Sequence, residues 1–372
     1  MAATDGRKPA GALLAAALVL PGITPPADAQ TVPDAGFVQF KYLDYRDWQP
    51  GGRRMRVDNP GFFILKPLSD SLVVEGSIVY DGMSGASPLY FNALSGASSE
   101  GVKDYRTAGE AKLTKYFDRW SMTAGVAYSH ERDYISRAGS LEVRTWTADK
   151  NRTLSFGLAG AADRIHSENG AAQHERKYVL DYLVGITQVL SPTTIVQSNL
   201  TYSRGHGYFT DPYKLFDDRP ERRRIVAWLN RWNEHFPASD GTLQLAYRYL
   251  DDSFGADSHF LEAAWVQPLP HGFSARPSLR YYTQKAADFF YGPPIGNRFV
   301  PGQPYTADAR LSAFGAWTAG IAVAKTFAND WTIDFKIEYY EQRSSWRLGG
   351  DGSDGILPMA ARWIQVGVTR PF

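Results

Sequence analysis

Six aspartates stand where extended segments give way to breaks: Asp81, Asp211, Asp251, Asp252, Asp288 and Asp308. Carboxylates that converge with backbone carbonyls suit a hard cation such as Ca²⁺. No EF-hand spacing connects them, however, and Arg204, Arg219, Arg248, Arg280 and Arg310 fall at matching positions. Aspartate facing arginine reads first as ion pairing that fastens loops and lines a wall, so no metal is assigned. Hydrolysis would need a nucleophile within hydrogen-bond reach of a base. Ser258 and His259 are adjacent, but neighbours on an extended strand point to opposite faces. His166 and His206 fall in expected loops, and no Gly-x-Ser-x-Gly occurs. The chain has no cysteine, which excludes thiolate chemistry, disulfides and c-type haem attachment. No glycine-rich nucleotide loop follows a strand. The expectation is a protein with no catalytic residue and no cofactor, not an enzyme.

The elements that position these residues show up in period-two alternation. In Trp331–Gln342 the residues Trp331, Ile333, Phe335, Ile337 and Tyr339 alternate with Thr332, Asp334, Lys336, Glu338 and Tyr340. One apolar and one polar face define a strand, and aromatics at both ends of the apolar face suit a bilayer-spanning one. The same sorting recurs in Leu243–Tyr249, Tyr178–Ile186, Leu72–Tyr80 and Met122–Tyr128. In Arg222–Phe236 polar residues fall on both phases, leaving that register undetermined.

Breaks alternate between short, turn-rich stretches and long ones. Short breaks include Phe117-Asp118-Arg119, Leu190-Ser191-Pro192 and Ala328-Asn329-Asp330, rich in residues that preset turn dihedrals. Long ones are 82–104, 166–175, 205–221, 289–307 and 345–358. In the first of these Ser-Gly-Ala-Ser occurs twice; it reads as a flexible loop or as one that folds into the lumen. Sixteen strands are expected: 36–48, 55–66, 71–81, 105–116, 120–132, 137–148, 152–165, 176–190, 193–204, 222–236, 241–253, 257–267, 272–287, 308–326, 331–343 and 360–372. Short turns at one rim and long loops at the other is the plan of an outer-membrane barrel. An even count puts both termini at the short-turn, periplasmic rim.

Composition agrees. The 372 residues include 21 Tyr and 10 Trp, yet mean hydropathy is −0.34, which excludes a bundle of membrane helices. The net charge of +1 argues against a nucleic-acid partner. Residues 1–29 read as a cleaved signal peptide: Arg7 and Lys8, an apolar run from Ala10 to Leu20, then Ala27-Asp28-Ala29 before Gln30. Residues 30–372 form one barrel domain. The chain ends on Phe372 after an amphipathic strand, which resembles the signal read by the barrel-assembly machinery.

Several stretches carry a wider resemblance. They include Tyr80-Asp81-Gly82-Met83-Ser84-Gly85-Ala86-Ser87-Pro88, Gly185-Ile186-Thr187-Gln188-Val189-Leu190-Ser191, Gly207-Tyr208-Phe209-Thr210-Asp211-Pro212-Tyr213-Lys214, Arg219-Pro220, Tyr247-Arg248-Tyr249, Arg280-Tyr281-Tyr282-Thr283-Gln284 and Asp308-Ala309-Arg310-Leu311-Ser312. Over nearly the whole mature chain the sequence resembles a bacterial outer-membrane family catalogued as domain of unknown function 3570. That resemblance implies an outer-membrane barrel and brings no activity and no assigned residue.

Two groups of residues are candidates for function. Glu75, Glu110, Lys112, Glu142, Arg144, Asp181, Arg248, Arg276, Arg280, Arg310, Asp334, Lys336 and Glu338 are expected to face the lumen. Their mixed signs suit a weakly selective pore or a lumen closed by ion pairs. Asp81, Tyr208, Asp211, Arg219, Asp251 and Asp252 are expected at the outer rim, with Arg219 holding its loop against Asp251 and Asp252 through a partly exposed pair. The function expected is a porin-like channel for small polar solutes. The alternative is a non-conducting scaffold for a periplasmic or secreted partner, for instance in an envelope redox system. Expected surroundings are outer-membrane lipid and lipopolysaccharide, with no nucleic acid.

Overall fold

A computed structural model describes residues 30–85, 102–214, 216–292, 300 and 302–372. The expected signal peptide and the second Ser-Gly-Ala-Ser repeat, Ser95–Ser98, lie outside these residues, and the first, Ser84–Ser87, straddles their edge. The strands are β1 (Phe37–Gln49), β2 (Gly52–Ser69), β3 (Leu72–Gly85), β4 (Val102–Tyr116), β5 (Trp120–His130), β6 (Tyr134–Trp146), β7 (Arg152–Ile165), β8 (Glu175–Val189) and β9 (Thr194–Gly207). There follow β10 (Asp217–Asp218), β11 (Arg222–Phe236), β12 (Gly241–Asp252), β13 (Ser258–Leu269), β14 (Phe273–Gln284), β15 (Tyr305–Thr306), β16 (Phe314–Thr326), β17 (Thr332–Arg343) and β18 (Met359–Pro371).

All but β10 and β15 form one closed antiparallel barrel of sixteen strands, each paired with its sequence neighbour and β1 closing on β18. The pairing of Phe37 with Pro371 and of Trp48 with Ala360 runs the length of that seam. Closure leaves no sheet edge unpaired, a requirement for any backbone that lies in hydrocarbon. β10 and β15 form a separate two-residue ladder between two loops.

Alternation decides which residue faces where. On β17 Ile333, Phe335, Ile337 and Tyr339 are exposed on the outer face, while Asp334, Lys336, Glu338 and Tyr340 point inward. The outer surface carries aromatics near both rims: Phe117 stacks on Trp120 at 3.8 Å near the short turns, and Tyr281 meets Trp317 at 4.7 Å near the long loops. Between them lie Leu, Ile and Val, such as Val126 and Val184. On β11 the outer face holds Trp228, Trp232 and Phe236. Its inner face carries Ile225, Ala227 and Leu229 beside Arg223 and Arg231, which is why neither phase looked apolar in sequence.

Two corrections concern strand ends. Residues 308–313, expected as the start of a strand, instead form a 3₁₀ turn at Ala309–Leu311 capped by Asp308, and β16 begins at Phe314. The Asp308 side chain accepts from the Arg310 N–H at 3.0 Å, a local bond that competes with a ladder. His206, expected in a loop, is the penultimate residue of β9. Gly207 then ends that strand at φ +118°, where an added Cβ would collide with the Arg176 carbonyl.

Before β1 the chain hugs the inside of the short-turn rim. Val32 packs on Phe63, Leu65 and Val73, and the Gln30 amide donates to the Lys150 carbonyl at 3.0 Å in the β6–β7 turn.

Candidate functional site

Long connections converge over the barrel at the rim opposite the short turns. The segment between β9 and β11 meets the one between β14 and β16 through the β10–β15 ladder, and the Ala307 N–H donates to the Phe216 carbonyl at 3.1 Å. Beneath this ladder lies a buried ionic cluster of three carboxylates, Asp211, Asp217 and Asp308, and three cations, Lys214, Arg219 and Arg310. Arg219 pairs with Asp217 at 2.8 Å and with Asp308 at 2.8 Å. Arg310 pairs with Asp211 at 2.7 Å and chelates Asp308. Lys214 lies 3.9 Å from Asp308. Asp308 is 1% exposed. Burial alone would raise its carboxyl, but the charges of Arg310, Lys214 and Arg219 outweigh burial and hold it well below the usual carboxylate range. Burial pushes the Asp217 carboxyl up, against the opposing pull of Arg219. Beside the ions sits an apolar cluster drawn from three loops: Phe254 stands edge-on to Phe209 at 5.9 Å and to Phe289 at 5.1 Å, with Leu311 packed against them. Arg223 covers the Phe254 ring at 4.6 Å. Together these contacts form a clasp across the mouth.

The clasp differs from the rim cluster expected from sequence. Arg219 does not reach Asp251 or Asp252, and its pair is buried, not partly exposed. Asp252 points inward and pairs with Arg223 at 2.5 Å. Asp251 takes the opposite face, as alternation demands, and stands 4.0 Å from Arg224. Asp81 belongs to the wall, where Arg106 and Asn59 hold it. Tyr208 lines the cavity below the clasp together with Asp211 and Arg219. Arg310, expected on the lumen wall, belongs to the clasp because residues 308–313 turn away from the strand. Lys214 and Phe209 stand in the Gly207–Lys214 stretch that the sequence pointed to, whereas Asp217 and Phe254 were not singled out; the Asp217-Asp218-Arg219-Pro220 run was the available signal for Asp217. Among the described residues no three His, Asp or Glu side chains are arranged to hold a metal.

Below the clasp is a cavity of about 290 Å³. Its lining includes Lys177, Arg223, Arg248, Tyr282, Gln284, Arg310 and Tyr340. Lower on the wall the inward charges form ladders. Arg276 and Arg280 share Glu262, at 3.3 and 2.5 Å, and Arg280 also faces Glu338 at 3.7 Å. Lys336 pairs with Glu338 at 2.8 Å, and Lys41 faces Asp334 at 3.7 Å. On the other side of the barrel Lys112 pairs with Glu110 at 2.9 Å and Arg144 with Glu142 at 2.6 Å, with Glu75 across from Lys112 in register. Asp181 is buried on β8. Signs are unevenly shared. Below the Arg223–Asp252 pair, β11 to β14 present Arg231, Arg248, Arg276 and Arg280 against Glu262, whereas below the Asp81–Arg106 pair β3 to β6 present three glutamates against Lys112 and Arg144. Arg144 and Arg276, both near the short-turn rim, keep 35% and 34% of their side-chain surface exposed although both point inward, so the lumen is open to solvent at that mouth.

A closed sixteen-strand barrel with an apolar, aromatic-banded exterior and a charged interior is an outer-membrane β-barrel. Solved structures share the fold, among them the two that follow. A bacterial polysaccharide outer membrane secretin matches with a TM-score of 0.53 at 8% identity, over 92% of this chain and 99% of that one. CdiB from Acinetobacter baumannii matches with a TM-score of 0.51 at 8% identity, over 90% of this chain and 60% of its own. No curated protein sequence matches. The chain belongs to the family described as protein of unknown function (DUF3570), whose model matches residues 90–176 and 168–363.

Proposed function

We propose that the protein is a porin-like channel for small polar solutes, with its short-turn rim and both termini in the periplasm. The observation that carries this reading is the solvent-exposed, ion-lined lumen beside Arg144 and Arg276 in a barrel of sixteen strands, a size that leaves room for water. The clasp then sets the constriction, and the arginine-rich wall of β11 to β14 sets a weak preference for anions, since charge at a narrow point selects by sign. The reading includes no catalytic step and no cofactor. Conductance of the purified protein in a planar bilayer tests it, with the reversal potential measured under a salt gradient. A pore selects weakly for anions, and Arg231→Glu with Arg276→Glu shifts it toward cations. The buried, charge-balanced clasp favours a second reading, a closed scaffold that docks a periplasmic or secreted partner. Under that reading no conductance occurs, with the clasp intact or broken.

A further inference from the structure

The outer face carries an unbalanced block of positive charge on five adjacent strands. Arg137 on β6, Arg164 on β7, Arg176 on β8, Arg204 on β9, and Arg222 and Arg224 on β11 all point outward and are exposed. Cross-strand register brings like charges together. Arg164 is opposite Arg176, Arg204 is opposite Arg224, and Arg222 is opposite His206. Directly opposed like charges destabilise a sheet, and the block spans only about 20 Å at about 5 Å per strand. Among the described residues its one acidic partner in an ion pair is Asp251, 4.0 Å from Arg224. Among the described residues Arg137, Arg164, Arg176, Arg204 and Arg222 have no ion pair.

Elsewhere on the outer rim charge is neutralised within the protein. Arg46 pairs with Asp44 at 3.0 Å, Arg56 with Asp58 at 3.0 Å and Lys285 with Asp257 at 3.1 Å. The arginine block therefore calls for an external anion. Its position says which kind. Directly below it lie the exposed Tyr178, Leu180, Tyr182 and Leu200, so the guanidinium groups sit at the upper edge of the apolar band, at headgroup level. A groove of about 120 Å³ runs among Arg137, Arg164, Arg176 and Tyr178, floored by Ile135 and Ala162; Asp163 also borders it, but its carboxylate is buried on the inner face and pairs with Lys177 at 3.2 Å. Planar guanidinium groups bind phosphate oxygens in pairs, and an apolar floor suits an acyl chain.

We propose that this face binds the phosphates of lipopolysaccharide, with Arg137, Arg164 and Arg176 as one phosphate seat and Arg204, Arg222 and Arg224 as a second. The proposal rests on the orientation given above, in which the long-loop rim faces the cell exterior. The test is native mass spectrometry of the detergent-purified protein with three probes: lipid A carrying both phosphates, lipid A stripped of them, and phosphatidylglycerol. Wild type is expected to retain phosphorylated lipid A at least tenfold more than either other lipid. The quadruple variant Arg164→Ser, Arg176→Ser, Arg204→Ser and Arg224→Ser is expected to lose that preference while keeping heat-modifiable migration, because it relieves repulsion and breaks no ladder. Equal retention by the variant, or of the stripped lipid, overturns the site. Equal retention of phosphatidylglycerol overturns lipopolysaccharide as its occupant. Orientation is tested separately, by labelling Gln173→Cys in the β7–β8 loop on intact cells with an impermeant maleimide. Absence of label refutes the orientation and with it lipopolysaccharide as the source, whatever the arginines bind in detergent.

Discussion

Arg219→Ala tests the clasp at its centre. The guanidinium is shared by Asp217 and Asp308, whose side chains are fully buried. Removing it leaves two buried carboxylates facing each other with one cation fewer. Breaking a buried pair by deleting one partner costs about 3–5 kcal/mol. Arg310 and Lys214 still face Asp308, so the lower end applies, about 3 kcal/mol. At about 1.4 kcal/mol per tenfold that is roughly a 100-fold rise in the open population of the 208–221 segment. An exposed pair would change it by about fivefold at most, for a worth of about 1 kcal/mol. The assay is the rate of limited proteolysis between Tyr208 and Glu221 under native conditions. Heat-modifiable migration serves as the control, since the sixteen strand ladders do not involve Arg219. Adding Asp217→Asn should return part of the protection by removing the carboxylate that Arg219 alone had paired. Cleavage rising by less than about fivefold would refute the buried-pair argument; loss of the barrel itself would refute the separation of clasp from wall.

Other outcomes follow from the same geometry. Arg at Ile337, exposed at the middle of β17, should destabilise the barrel by about 2–4 kcal/mol in lipid, measured by urea unfolding in vesicles. Cysteines at 333, 335 and 337 should resist a water-soluble thiol reagent, while those at 334, 336 and 338 react. Acid should open the clasp only below pH 3.8. The lowered Asp308 carboxyl contributes stability above its ordinary value of 3.8 and loses it as pH falls further. The raised Asp217 carboxyl protonates earlier, which favours the folded clasp. Protease protection of 208–221 should therefore hold from neutral pH to about 4 and fall beneath it, and Asp308→Asn should abolish that acid limb.

The wall was legible because period two converts each residue type into a direction. Every expected barrel strand overlaps an observed one, and Leu72, Val74, Ile78 and Tyr80 take the opposite face from Glu75, Ser77 and Asp81. The Arg222–Phe236 register was not legible because the lumen face of β11 tolerates Ile225 and Leu229. The clasp was hidden for a different reason. Its pairs join residues far apart in sequence, Arg219 with Asp308 and Asp211 with Arg310, through loops that carry no period. Proximity along the chain pointed instead to Asp251 and Asp252, and only alternation on β12 separates those two. The arginine block needs cross-strand register, which sets Arg204 beside Arg224 and Arg164 beside Arg176.

The central claim is an open, charged lumen constricted at one mouth, and single-channel recording in a planar bilayer tests it most directly. Wild type should conduct with a weak preference for anions. Arg219→Ala should conduct more, and the paired Arg231→Glu and Arg276→Glu exchange should move the reversal potential toward cation selectivity. Silence from both wild type and Arg219→Ala, with the barrel folded in each, would contradict the channel and leave the closed scaffold.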